Sequence, residues 1–252
     1  MKKWVIILLT ILFATIVSGC GSLYPEEELE IKQVPDQDQL ASVQRAVEEY
    51  NAETGVLPIK NSELDTDIFI KYLIDFSKLA PKFITQSPGN SYEQGGIFQY
   101  VIWDPENNPT VKLVDLRTPE RIREVNMRFM ATKYPQFKDE VAPFIYTINF
   151  ENIGFDNEIT VASPYSNNQL PLVVSSEGNI YVDYSIDLQL FINENNLKPT
   201  PGEDIRMLLG EAYPVVPAYS LPYTVDENNE VIFMYDPVAD AKAAKEATED
   251  EK

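Results

Sequence analysis

The 252-residue chain has no histidine and a single cysteine, Cys20. The first absence removes Ser-His and Cys-His catalysis, histidine-ligated zinc and an imidazole acid or base. The second leaves no thiol pair for a disulfide and no thiolate cluster for zinc, iron–sulfur or thioether-bound haem. Basic residues are scarce, with 20 Lys and Arg against 40 Asp and Glu and a net charge of −20. So acidic a surface repels phosphate backbones and anionic headgroups, and no basic cluster is apparent after Cys20, which argues against nucleic acid as a partner. Long apolar runs are missing too, apart from Trp4–Val17, which is broken only by Thr10 and Thr15. That run has the length of a signal-peptide core and falls short of the ~20 residues of a membrane span.

What is present begins with the surroundings of the one thiol. Lys2 and Lys3 precede the apolar run, and Val17-Ser18-Gly19-Cys20 follows it within TIVSGCGS (15–22). This order matches the lipobox of bacterial lipoproteins. The match implies a diacylglyceryl thioether on Cys20, cleavage before it, and Cys20 as the mature N-terminus carrying fatty acyl chains such as palmitate. Two acyl chains suffice for stable anchoring. The thiol is then consumed by the anchor.

Residues 20–35, rich in glutamate and bearing two prolines, read as an acidic tether. Residues 237–252 hold no large apolar side chain after Val238 and read as a mobile charged tail. Between them, 44% apolar residues with 14 Tyr and 12 Phe are ample for a packed core. The patterning predicts an α+β fold of hairpin-rich antiparallel sheets with flanking helices, divided into modules at 36–133 and 134–236. A helix capped by Asp36 or Asp38 carries Leu40, Val43, Val47 and Tyr50 at helical spacing and stops at Gly55. Further helices are predicted over 66–73, from Thr118-Pro119, from Ser185 and over 201–213. Strands 97–103 and 110–116 form one hairpin, 171–175 and 179–184 a second, and the turn Asp226–Glu230 a third. Asp75-Phe76, Ser87-Pro88 and Ile97–Val101 find counterparts in Asn149-Phe150, Ser163-Pro164 and Ile180–Tyr184. That parallel raises the expectation of two related modules with a groove between them.

Several stretches together carry a family likeness: SVQRAVEEYNAETGVLPIK (42–60), SPGNSYEQGGIFQYVIWDPENNPTVKLVDL (87–116), SPYSNNQLPLVVSSEGNIYVDY (163–184) and VPAYSLPYT (216–224). They resemble the YphF-like lipoproteins of Gram-positive bacteria over most of residues 36–235. The resemblance implies a lipidated Cys20 at the cell envelope. Members are loosely described as ABC-transporter binding proteins, and no catalytic residue carries over. Pilin heads share a looser likeness in helix-to-sheet order, but the leading segment lacks the long apolar helix of pilin assembly.

Candidate chemistry is limited to oxygen donors. Asp104, Asp115, Asp183 and Asp187 stand at strand ends or turns, where a glycosidase carboxylate pair would be placed, although 40 acidic residues make chance pairs unavoidable. Asp104–Asn108 and Asp226–Glu230 cluster oxygen ligands suited to calcium but lack EF-hand spacing, and Asp and Asn are ordinary turn formers. The glycine-bearing loop 87–96 feeds a strand, not the helix a phosphate loop needs. Tyr213, Tyr219 and Tyr223, interleaved with prolines, suit a binding surface or a protected edge strand. The sequence thus predicts a lipid-anchored extracytoplasmic protein that is not an enzyme and needs no cofactor or metal. Its partner is an envelope protein, a peptide or a small solute. An importer's solute-binding component and a carboxylate-dependent wall-glycan hydrolase are the alternatives.

Overall fold

A computed structural model describes residues 36–63 and 66–235. Cys20, the leader, the tether and the tail lie outside the described residues. Helix α1 (Gln37–Thr54) is capped by Asp36, whose Oδ1 accepts from the amides of Asp38 (2.9 Å) and Gln39 (3.1 Å). Gly55, at φ 74°, ends it in the left-handed conformation that glycine adopts without steric cost. Its buried face, Val43, Ala46 and Val47, packs on a hairpin of β1 (Phe98–Trp103) and β2 (Thr110–Asp115), paired from Phe98↔Asp115 to Trp103↔Thr110. Gln44 closes one end of β2, accepting from Val111 N (2.7 Å) and donating to Pro109 O (3.0 Å). A one-turn helix α2 (Phe76–Leu79), capped by Asp75, buries Phe76 and Leu79 in the same core.

Helix α3 (Arg117–Ala131) follows directly and turns Val125 and Phe129 into a second, larger core. That core lies on a five-stranded antiparallel sheet of β3 (Phe137–Ala142), β4 (Ile145–Ile148), β5 (Thr160–Ala162), β6 (Gln169–Ser175) and β7 (Ile180–Val182). The hub is β6, which pairs with β5 over its first residues and with β4 and β7 over its last. Helices α4 (Ser185–Glu194) and α5 (Arg206–Ala212) and the hairpin of β8 (Tyr223–Val225) with β9 (Val231–Phe233) complete the α+β fold. No described helix is long and apolar enough to cross a membrane.

Three expectations are corrected. Residues 66–73 form turns, because Asp67 accepts from Ile70 N while Leu73 and Ile74 are drawn out to bridge Val101 and Ile59. Helix α3 begins two residues before Pro119, where Asp115 Oδ1 takes the Arg117 amide (2.9 Å). Helix α5 starts only at Arg206, since Gly202 at φ 89° binds Thr224 Oγ1 through its amide (2.6 Å) and Asp204 receives the Arg206 amide. Strand β3 escaped notice because Lys138, Asp139, Glu140 and Val141 are all exposed and carry no alternation. Helix α3 packs in the second core, and Val215 returns to the first. Within them, 97–101 is the leading strand of its hairpin and 180–184 contains the returning one, so that internal alignment sets unlike positions together.

Candidate functional site: a charged groove where the two cores meet

The tyrosine- and proline-rich segment joins the cores. Pro214 O accepts from Leu113 N (2.8 Å) and Val216 N donates to Leu113 O (2.9 Å), which adds a short parallel strand to the edge of β2. A few residues on, Tyr219 O accepts from Val182 N (2.9 Å) beside β7. Tyr223 is fully buried; its hydroxyl accepts from Tyr184 N (2.9 Å) and donates to Asp183 Oδ1 (3.0 Å), and burial drives its phenol pKa far up. It therefore contributes nothing to a surface. Tyr213 is half-buried against Tyr165 (5.0 Å) and Phe191 (5.9 Å). Tyr219 is half-buried with φ 61°, an unusual conformation for so bulky a residue, and burial raises its pKa, with the Asp67 charge adding to the shift. The segment is a strap laid along the edge of β2.

Beneath the strap lies a buried polar network. Asp187, 3% exposed, accepts from Ser163 Oγ (2.7 Å) and Ser166 Oγ (2.6 Å), which pins the loop between β5 and β6 to α4. Tyr165 donates to Val215 O (3.2 Å) and packs against Tyr184 at 5.8 Å; Tyr184 in turn bonds Thr118 on α3. Burial raises both phenols, and the charges of Asp187 and Asp115 reinforce it. Neutral tyrosines between two carboxylates keep this seam uncharged at its centre, where an ionised phenol would be costly.

The seam opens outward into a groove of about 450 Å³ between the flank of α3 and strands β5 and β6. Its inner end is Asp115, 7% exposed, which receives Arg117 in a fork: Nε at 3.0 Å to both oxygens and Nη2 at 2.5 Å. This bond raises the Arg117 pKa further and leaves the guanidinium fixed at the groove wall. One turn along, Arg121 Nη1 meets Glu124 Oε2 at 2.7 Å, Glu120 lines the same wall, and the far wall offers Thr160 and Gln169. Charges of both signs and neutral amide groups thus face one cavity within the 300–1,000 Å³ range of small-molecule sites. Two other depressions are built differently: one of about 590 Å³ beside β3 and β4, with an acidic rim, and one of about 290 Å³ between Trp103 and Met207.

The candidate carboxylates are each engaged in a structural hydrogen bond. Asp104 binds Asn107 Nδ2 (2.8 Å), Asp115 holds Arg117, Asp183 takes the Ser185 amide (2.9 Å) and the Tyr223 hydroxyl, and Asp187 takes two serines. In the turn after β8, Asp226 accepts from the amides of Asn228 (2.8 Å) and Glu230 (2.9 Å), which lowers its pKa. Loop 87–96 is a tight turn: a Cβ on Gly96 would come within 2.0 Å of Asn90 O. Among the described residues no cluster of three or more His, Cys, Asp or Glu is placed to hold a metal. The groove itself went unread in the sequence, although Asp115-Leu116-Arg117 and its echo Asp204-Ile205-Arg206, which forks identically (2.7–3.1 Å), carry a usable signal.

Residues 36–115 match the YphF family N-terminal domain. The match runs from the aspartate capping α1 to the aspartate at the inner end of the groove, and so covers the first core apart from Val215. No curated protein and no solved structure matches the chain.

Proposed function

From a chain whose residues 36–115 form a YphF-like N-terminal domain, we propose a lipid-anchored extracytoplasmic protein that binds a small zwitterionic solute or a short peptide terminus, without catalysis, in the groove beside α3. The observation that carries this reading is the groove wall: a fixed Arg117, the Arg121–Glu124 pair and Glu120 face amide and hydroxyl groups on β5 and β6. Such a surface complements a ligand bearing both charge signs and offers little to an apolar one. The lipobox at 17–20 supports the anchor, and the family likeness agrees with an envelope location.

A wall-glycan hydrolase is less well supported, since each carboxylate named for it, Asp104, Asp115, Asp183 and Asp187, is engaged in a structural hydrogen bond. An importer's solute receptor would use the same groove, but two-lobed receptors are built on regular βαβ alternation and this chain is built on hairpins. A thermal-shift and calorimetry panel of amino acids, short peptides and neutral sugars tests the proposal. A zwitterion or peptide should raise Tm, and Arg121→Ala or Gln169→Ala should abolish the rise while leaving the unliganded Tm in place. Stabilisation by sugars alone, or a rise that survives both substitutions, would defeat it. The anchor is tested separately, by labelled fatty acid on the wild type and its loss in Cys20→Ser.

A further inference from the structure

The outer face of α3 is unlike the rest of the molecule. While Val125 and Phe129 point into the core, Met127 and Met130 are 64% and 69% exposed on the opposite side, and Tyr134, just past the helix, is 66% exposed. Four of the chain's six arginines, 117, 121, 123 and 128, lie on this helix, and Lys133 follows it. Sequence reading misses this concentration because Glu120 and Glu124 are interleaved. Those two are the only acidic residues from 117 to 134, in a chain of net charge −20.

The cations around the stripe are differently engaged. Arg121 pairs with Glu124 on the groove side. Arg128 is held by Gly154 O, its guanidinium over the Phe155 ring at 3.8 Å. Lys133 lies 5.5 Å from the Tyr134 ring centre. Arg123 shares the outer face with both methionines, three to four residues apart on a helix.

We propose that this face is a second membrane contact, seating Met127, Met130 and Tyr134 at the headgroup level of an anionic bilayer, with Arg123 and Lys133 against lipid phosphates. The charge pattern commits the occupant. A negative surface attracts this face and repels the remaining acidic exterior, so the contact orients the protein as well as holding it. A second copy fits poorly, because a twofold contact through α3 would set arginines against arginines. The exposed side is the convex outside of a helix, and flexible apolar chains flanked by long cationic ones are the composition of helices that lie in a lipid interface. The proposal stands apart from the acyl anchor and from the groove ligand.

The test uses residues 20–252 with Cys20→Ser, which keeps every described residue and lacks an acylation site. Co-sedimentation is measured with vesicles of equal phosphatidylglycerol and phosphatidylcholine, and with phosphatidylcholine alone. Binding should require phosphatidylglycerol and fall as salt is raised. The double variant Arg123→Ala/Lys133→Ala should weaken it about 30-fold, taking ~1 kcal/mol per cation. Met127→Ser/Met130→Ser should weaken it as well, with circular dichroism of all proteins unchanged. Equal binding to both vesicle types, no binding at low salt, or binding indifferent to both double variants would overturn the proposal. Self-association without vesicles that Met127→Ser/Met130→Ser abolishes would assign the face to a second copy instead.

Discussion

Two hairpins in this protein end in the same local device and put it to different uses. After β2, Asp115 accepts the amide of Arg117 at the start of α3; after β7, Asp183 accepts the amide of Ser185 at the start of α4, each at 2.9 Å. Both helices therefore begin on an aspartate two residues upstream, which satisfies one of the free amides of a first turn. The remaining oxygen capacity is where they part. Asp115 is filled by a guanidinium that is itself 47% exposed, and the result is a charged groove wall. Asp183 is filled by the hydroxyl of the fully buried Tyr223, and the result is a sealed core. The same dipeptide spacing gives a surface or an interior according to what packs behind it.

The contrast can be broken at the strap, where the effect should be largest. Leu113 is fully buried in the first core, beside the 214–216 segment that its backbone binds, so the cavity left by Leu113→Ala should cost about 2–5 kcal/mol in urea unfolding. Gly210→Ala should cost about 1–3 kcal/mol, because a Cβ there would meet the Trp103 ring at 2.3 Å. Trp103 is the sole tryptophan of residues 20–252, so the fluorescence of that stretch should report the displacement. Tyr223→Phe should cost about 1–2 kcal/mol by leaving Asp183 and the Tyr184 amide short of a partner. Asp115→Asn should stay under about 1 kcal/mol, since Arg117 is half in solvent and the amide bond to residue 117 can persist. If thermal melts reverse the order of this last pair, the distinction between an aspartate with an exposed partner and one with a buried partner fails. The smallest effect is at Asp75, whose pKa the Ser77 hydroxyl holds below 3.8. Its contribution is complete above that value and is lost as pH falls through the lower folded pKa, so Asp75→Asn should flatten the acid limb of a Tm-against-pH curve.

Much of the architecture was legible because it is written locally. Asp36, the spaced apolar face and Gly55 specify α1, and the runs around 104–109 and 176–178 specify their hairpins. Other parts were hidden because their pairing is not local. Strand β3 holds an edge place with an exposed, charged sequence, and 66–73 gives up helical spacing to bridges with Ile59 and Val101. Tyr223 suited a binding surface or a protected edge alike, because a tyrosine beside prolines looks the same whether it is covered or not; its place in the second core and its bonds to Asp183 and the Tyr184 amide, about forty positions away, exist only in the fold. The groove depended on α3 lying along β5, a contact no local pattern encodes.

Composition and local pattern alone determined the α+β class, the chemistry that a chain without histidine cannot perform, and the positions of most turns. Tertiary structure alone decided which aspartate takes an exposed partner and which a buried one, that the tyrosine–proline segment straps two cores together, and that both methionines of α3 face outward. Caps and turns are satisfied within a few residues and can be read along the chain. Burial and charge density are sums over neighbours brought together from distant positions, and they exist only once the chain has packed.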